Sequence, residues 1–583
     1  MRLQRNTRLI TLSAILGVVG ALGAQLFIWL LNMAELKILT FISGYKFITV
    51  SQSHTMLAVP PTHWYWLVPV ATTLGGLISG VLVYGLAPEA EGHGTDAAVK
   101  GYHRTAGRIR YRIPIIKTIA SAVTIGSGGA AGREGPTAQI AAGVGSMIGG
   151  ILKLPDEERR VLLLVGMAAG LSAIFKSPLG TAIFAVEILY STMAFEGRYL
   201  TFTLVASAVA YAVTGLFDGW SPLFILPHDV SFGAPVDLVW FVVLAALAGA
   251  LGALLPTIFY RTRDKFHELP IPNMLKPALG GLGVGLLGIL APPLLGGGYG
   301  YVQLALQGGT GIAIWMLLLL MVGKIIALSL TVASGGSGGV FAPSLYVGAM
   351  LGAAFAMLLH TIHVTGIPTT ALAVVGMAAL FAGAARVPIA SLVMVAEMTG
   401  GYHLIMPTML AVAVSYVVQV ALTRNAKYPT LYEAQETIPA ASPANTEMFS
   451  EIITDFLQQN RMQLDGVTIN HHLTMALAEG EGIPLGNGHQ QLYRVKLNSG
   501  TAAAGQQVRQ MACADMIIVG VLRGEKEIVP GADTILQVGD ELLIAATPES
   551  FEQFRQRIAA PEMAGDEAIE EWEGELQNGV APH

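Results

Sequence analysis

A glycine-rich segment near residue 130 carries the groups of this chain that are best suited to bind an anion. It ends in Gly-Arg-Glu-Gly-Pro at 132–136. Glycines leave backbone N–H groups uncovered, and proline suits the first turn of a helix. The open N-terminus of a helix binds anions through such N–H groups without a full cationic charge. The segment therefore predicts an anion site that includes Gly132, Arg133 and Gly135.

A carboxylate, Glu134, stands at this predicted helix start. It competes with an anion for the same N–H groups, and its protonation would end that competition. Ionisable residues within membrane segments are costly and usually functional. We therefore expect Glu134 to be a gating and proton-carrying residue. The alternative is a structural ion pair between Arg133 and Glu134.

The same build occurs a second time, in Gly-Gly-Val-Phe-Ala-Pro at 338–343, 207 residues further on. Another pair of segments matches at an offset of 210 residues: Gly-Met-Ala-Ala, then proline, then Glu187 or Glu397. Two copies indicate a duplicated membrane fold whose site lies at the interface of the repeats.

The composition places these segments in a membrane. Of the 583 residues 53% are hydrophobic and 12% are charged, where a soluble domain has about 25% charged residues. The 68 glycines suit close helix packing in a bilayer. Several apolar segments are too short to cross about 30 Å of hydrocarbon, which predicts broken helices. The segments lie at about 9–32, 64–87, 113–125, 136–153, 160–174, 178–191, 198–217, 236–260, 274–294, 312–333, 340–360, 369–385, 387–399 and 404–423.

The charges of the loops predict the orientation. The loop at 88–117 and the short stretch at 261–265 are rich in Lys and Arg, whereas the loop at 218–235 has neither. Basic loops stay in the cytoplasm. Together with Arg2, Arg5 and Arg8 before the first apolar run, they predict a multi-pass protein of the inner cell membrane with cytoplasmic N- and C-termini.

The character of the sequence changes after about Arg424, and we place the end of the membrane domain at residue 435. We predict an all-α membrane domain followed by a small cytoplasmic α+β domain with strands at 491–497, 514–523, 526–529 and 540–546 and a helix at 503–511. The boundaries are membrane domain 1–435 with repeat halves at about 64–217 and 274–423, linker 436–480, α+β domain 481–558 and acidic tail 559–583.

The two glycine-rich motifs, in this order and spacing, resemble the signature motifs of the CLC family of chloride channels and transporters. Phe-Lys-Ser-Pro-Leu at 175–179 and Arg-Val-Pro-Ile at 386–389 extend the resemblance over about residues 10–435. It implies an inverted-repeat fold with broken helices, transport of chloride or a similar small anion across the lipid bilayer, and a homodimer with one anion pathway per subunit.

The resemblance also implies site residues. Val340 and Phe341 match positions whose backbone N–H groups line the central anion site, and Tyr432 matches the tyrosine whose hydroxyl faces the anion. The family's Gly-Ser-Gly loop aligns with Gly92-His93-Gly94. His93 thus replaces a hydroxyl, and Gly94 still offers a backbone N–H group. Selectivity among chloride, nitrate, fluoride and other halides stays open.

The coupling to protons also stays open at this point. Proton-coupled members often carry two adjacent glutamates where this chain has Glu187-Ile188. We expect chloride/proton antiport gated by Glu134, with Glu187 either on the proton path or in a structural hydrogen bond. The alternative is a passive voltage- or pH-gated chloride channel.

The C-terminal domain resembles the regulatory module of potassium-uptake proteins, of the RCK or TrkA-C type, through the segment at 530–544. Such modules dimerise and sometimes bind small ligands. A potassium-transport protein is one alternative outside the family, because Gly-Gly-Gly-Tyr-Gly at 296–300 partly matches a potassium filter. An enzyme is another, but no His-Glu-x-x-His or phosphate-binding loop occurs. We predict a transporter with no cofactor, no metal and no nucleic-acid partner.

Overall fold

The computed structural model divides the chain into two units, Met1–Gln435 and Glu436–His583. In the first unit the structure describes residues 2–50, 64–194, 196–227, 230–308, 312–364 and 366–435. In the second unit it describes residues 436–437, 483–484, 490–498, 501–511, 513, 515–523, 526–528 and 530–559. The predicted linker and acidic tail therefore lie almost wholly outside the described residues.

The first unit is helical. Each of the apolar segments predicted from sequence overlaps a helix, and eight helical stretches among the described residues are long and apolar enough to span a membrane. The protein is thus a multi-pass membrane protein. Its helices are α1 Arg2–Ala34, α2 Phe41–Ser43, α3 Val68–Leu86, α4 Thr95–Arg104, α5 Arg112–Gly126, α6 Glu134–Ile151, α7 Asp156–Phe175, α8 Pro178–Glu187, α9 Leu200–Asp218, α10 Leu238–Glu268, α11 Lys276–Leu290, α12 Tyr299–Leu306, α13 Ile314–Val332, α14 Phe341–Thr361, α15 Thr369–Ala385, α16 Pro388–Thr399 and α17 Ile405–Leu422.

One segment treated as a loop in the sequence contains a helix, since α4 lies within 88–117. Its polar composition hides it in a hydropathy profile. Nevertheless Ala98, Val99 and Tyr102 are fully buried, because other helices of the unit cover this face. Helix α12 in the second half is also short, with eight residues.

The duplication predicted from the motifs appears in the order and caps of the elements. Helices α3 to α9 are followed by α11 to α17 with matching lengths and breaks. Glu187, the last residue of α8, accepts hydrogen bonds from the N–H groups of Ile389 and Ala390 at the start of α16, at 3.0 and 2.7 Å. Glu397 in α16 accepts in turn from Gly180 N at the start of α8, at 2.9 Å. Each repeat thus caps a helix of the other.

The second unit contains a five-stranded antiparallel sheet in the order β1-β2-β5-β3-β4 among the described residues. The four predicted strands are present. The predicted helix at 503–511 is wrong in length, because only Val508–Met511 (α18) is helical and Gly505 adopts φ +86° in a preceding turn. A final helix, α19 Pro548–Ala559, was not predicted. The strands are β1 Ile483–Pro484, β2 Gln491–Lys496, β3 Met516–Arg523, β4 Lys526–Ile528 and β5 Glu541–Ala546.

A buried ion pair fixes the turn before β5. Asp540 is fully buried and accepts two hydrogen bonds from the Arg523 guanidinium, at 2.7 and 2.8 Å, and one from Gln537 N at 2.8 Å. The hydrogen bond to Asp540 raises the pKa of Arg523 above its ordinary value, so the guanidinium stays charged. This pair therefore joins β3 to the turn that precedes β5.

Replacing the buried carboxylate should destabilise this unit. Breaking a hydrogen-bonded buried pair leaves polar groups unpaired, so Asp540→Ala should lower its free energy of unfolding by about 2–3 kcal/mol. Amide hydrogen exchange of β3 and β5 in the full-length protein measures this. The control is Asp533→Ala, which removes an exposed partner of Arg509 and should cost less than about 0.5 kcal/mol. Equal effects of the two changes would contradict the structural role of Asp540.

Candidate anion site

The glycine-rich segments of the two repeats pair with each other through their backbones. Gly132 N donates to Gly339 O at 2.8 Å, and Gly339 N donates to Gly132 O at 2.6 Å. The loop before α4 joins them, since Gly92 pairs with the segment around Ser337 in a short parallel bridge. Three breaks in the chain therefore meet at one place, directly before the starts of α4, α6 and α14.

Two buried lysines bond carbonyl groups of the loops that precede the two short helices, Lys117 before α4 and Lys324 before α12. Lys117 Nζ donates to Ala90 O and Gly92 O at 3.0 and 2.7 Å. Lys324, at the equivalent place in the second repeat, donates to Gly296 O at 2.6 Å. Both lysines are fully buried. Because the Lys324 ammonium group already occupies the carbonyl oxygens at 294–296, these oxygens are not available to coordinate potassium as those of a potassium filter are.

A small cavity lies where the helix starts converge. Its volume is about 10 Å³, and its wall includes Thr95, Glu134, Gly135, Val340, Phe341 and Tyr432. That volume suits about one water molecule. The N-termini of α6 and α14 form part of this wall and carry partial positive charge. The wall thus combines backbone N–H groups, two hydroxyl groups and one carboxylate in a place closed to solvent.

The Glu134 side chain folds back over the glycine that precedes its helix. It is 1% exposed, and its carboxylate oxygens make no hydrogen bond of good geometry within the described structure, although the backbone N–H groups of Glu134 and Ala342 face them. A Cβ atom at position 132 would lie 2.1 Å from Oε2 of Glu134. Gly132 is therefore needed for this side-chain position, and an anion can fill the cavity only if the carboxylate moves.

Arg133 points to a different cavity from the one predicted. Its guanidinium lies over the ring of Tyr299 at 4.9 Å, and the side chain lines a cavity of about 210 Å³ with Tyr45, Phe47 and Tyr301, here called the aromatic cavity. Within the described residues it forms no ion pair with Glu134, so the Arg133–Glu134 pair considered from the sequence is not formed. Arg133 and Glu134, although adjacent in the sequence, therefore line two different cavities.

His93 and Gly94 line a third cavity, of about 540 Å³, here called the large cavity. The His93 ring meets the Tyr432 ring edge to face, with centroids 5.3 Å apart. Gly94 has φ +84° and precedes the first turn of α4. Neither of the two lines the small cavity. The residue of this loop that does is Thr95, which the sequence analysis missed although it is the hydroxyl-bearing residue at a third glycine-rich helix start.

The remaining predicted residues divide into two groups. Val340, Phe341 and Tyr432 line the small cavity with Glu134. Glu187 does not line it, because both of its oxygens accept hydrogen bonds at the start of α16. Of the two roles considered for Glu187, its contacts support the structural hydrogen bond.

Comparison with known proteins identifies the family. The profile of the voltage gated chloride channel family matches residues 75–420, and that of the TrkA-C domain matches residues 492–559. The chain belongs to the voltage-gated chloride channel family. The matched residues include both glycine-rich segments and the buried Lys117 and Lys324.

Bacterial relatives agree with this membership. A putative chloride channel protein ClcB-like from Ralstonia nicotianae is 32% identical over 364 residues, which are 60% of this chain and 82% of that relative. The H(+)/Cl(-) exchange transporter ClcA of Klebsiella pneumoniae is also 32% identical, over 60% of this chain and 76% of that protein.

Solved structures show the same fold. A slow cyanobacterial Cl⁻/H⁺ antiporter superposes with a TM-score of 0.62 at 24% identity, over 72% of this chain and 96% of the other. A CLC-type fluoride/proton antiporter gives 0.59 at 22% identity, over 74% and 98%. The predicted inverted-repeat CLC fold with broken helices is therefore confirmed.

The hydroxyl of Thr95 should contribute to anion binding. Hydrogen bonds to a charged group contribute about 1.5–3 kcal/mol, so Thr95→Val should weaken halide binding about tenfold. Calorimetric titration of the purified protein measures the affinity. Thr257→Val is the matched control, because that hydroxyl bonds Ala253 O within α10. An affinity for Thr95→Val equal to that of the control would contradict the assignment.

Proposed function

We propose that this protein exchanges chloride for protons across the inner cell membrane. The observation that carries the proposal is the Glu134 carboxylate, which is buried at a helix start in the wall of the small cavity, faces the backbone N–H groups of Glu134 and Ala342 and has no side-chain partner among the described residues. A titratable group that fills the anion's place links protonation to anion entry. Family membership and the exchange activity in the name of the ClcA relatives agree with it.

Each wall of the small cavity has a role in this proposal. The N–H groups at the start of α14, near Val340 and Phe341, attract the anion, and the hydroxyls of Thr95 and Tyr432 donate hydrogen bonds to it. Gly132 and Gly135 allow the close approach of the loops. Protonation of Glu134 removes its charge, the side chain leaves the cavity, and the anion takes its place.

The proposed orientation places the large cavity on the cytoplasmic side. Its wall contains Lys100, Arg108 and Arg110 from the basic segment at 88–117, and basic loops stay inside. The aromatic cavity then opens outward. Both termini are cytoplasmic in this orientation, and the subunits form a homodimer with one pathway each. The TrkA-C domain would bind a small cytoplasmic ligand.

A passive channel is the second candidate. The observation in its favour is Ile188, a fully buried aliphatic side chain directly after Glu187. No acid at position 188 supplies protons from the cytoplasm. Antiport therefore requires another entry for protons on that side.

The two candidates differ in what removal of Glu134 does. Glu134→Ala should abolish proton movement, because no titratable group then remains at the anion's place, whereas chloride flux persists. Reversal potentials of liposomes under combined chloride and pH gradients measure both. In the wild type the potential should depend on both gradients, and in the variant on chloride alone.

The control is Glu268→Ala at the exposed end of α10, which should behave as the wild type. A wild-type potential that follows chloride alone would contradict antiport. Proton movement that survives in Glu134→Ala would contradict the role of that glutamate.

A further inference from the structure

The large cavity contains four carboxylates, and one of them differs from the rest in its partners. Glu433 is paired with Arg263 at 2.5 and 2.9 Å, Glu89 with Arg110 at 2.5 Å, and Glu91 lies 3.5 Å from His267. Asp96 forms no ion pair within the described residues. Its Oδ1 atom accepts a hydrogen bond from Ala434 N at 2.8 Å.

Asp96 is also the carboxylate placed next to the anion site. It follows Thr95 in the first turn of α4, so consecutive residues line the small cavity and the large cavity. Its side chain is only partly buried and lines the large cavity. Asp96 therefore borders both the large cavity and the residue that lines the small one.

His93 supplies a second titratable group at the same boundary. It is 6% exposed, and its Nδ1 atom is buried without a hydrogen-bond partner in the described structure. His93 lines the large cavity, and its ring contacts the ring of Tyr432. Tyr432 in turn lines the small cavity. An unpaired buried imidazole nitrogen costs free energy in the folded state, and imidazole is the side chain that most readily exchanges protons near neutral pH.

We propose that Asp96 takes protons from the large cavity and that His93 passes them to Glu134. The proposal rests on the antiport function proposed above and names its inner proton path. A proton adds to the Asp96 carboxylate, transfers to the His93 imidazole, and reaches the Glu134 carboxylate past Tyr432, which contacts His93 and lines the small cavity with Glu134. Asp96 and His93 return to their initial states, so the step needs no other reactant.

Charged groups from three elements face this path. Lys117 of α5 and Arg263 of α10 act on His93, and Arg263, Lys100 of α4 and Glu433 act on Asp96. Burial first, and then these two cations, disfavour a proton that stays on the imidazole. His93 therefore serves as a transient carrier between two carboxylates.

The test compares Asp96→Asn, Asp96→Glu, His93→Gln and the matched control Glu91→Gln in liposomes. We expect Asp96→Asn and His93→Gln to lower proton flux at least about tenfold while chloride flux persists, because each removes a proton-transfer group. Asp96→Glu restores a carboxylate and should restore coupling. Glu91→Gln changes another carboxylate of the large cavity and should retain wild-type coupling.

The outcomes separate the two proposals. If the wild type moves no protons, antiport and this path are both wrong. If the wild type is coupled and Asp96→Asn is coupled equally, this path alone is wrong. If Asp96→Asn also loses chloride flux, His93→Gln decides: loss of proton flux alone supports the path, and unchanged coupling overturns it.

Discussion

The membrane unit depends on the mutual backbone hydrogen bonds between Gly132 and Gly339. They hold the starts of α6 and α14 against each other, one from each repeat. Side chains would prevent this contact, because a Cβ atom at Gly339 would lie 2.8 Å from Gly135 N. Two positive helix ends repel each other. The same arrangement therefore provides an anion site and needs negative charge to stabilise it.

In the proposed antiport the Glu134 carboxylate supplies that negative charge when no anion is bound. Its oxygens face the backbone N–H groups of Glu134 and Ala342 but make no hydrogen bond of good geometry in the described structure, so its stabilisation there is mainly electrostatic and incomplete. An unpaired buried charge costs free energy, which keeps the bound carboxylate from being too stable to exchange. A small anion or a proton each relieves this cost, which is the physical basis for coupling the two.

Sequence predicted the long helices because their length and hydropathy exceed what soluble helices need, and it predicted Glu134 because a helix start and a carboxylate coincide there. It missed α4 and Thr95, since a polar ten-residue helix inside a membrane protein resembles a loop until its packing is known. It assigned Arg133 and His93 to the anion, whereas their side chains line the aromatic and the large cavity. Side-chain direction at a helix start depends on backbone angles that residue spacing does not determine.

The duplication separates residues that build the site from residues that act in it. Equivalent residues keep equivalent structural roles: Gly132 with Gly339, Lys117 with Lys324, and Glu187 with Glu397. A symmetric pair of residues cannot distinguish the two sides of the membrane, because the inverted repeat exchanges them. Any functional difference between the two sides of the membrane must therefore come from positions where the two repeats differ. Glu134 corresponds to Phe341, and the helix start at Thr95 and Asp96 corresponds to Tyr299 and Gly300. The titratable groups of the proposed proton path thus occur in one repeat, on a scaffold that both repeats build.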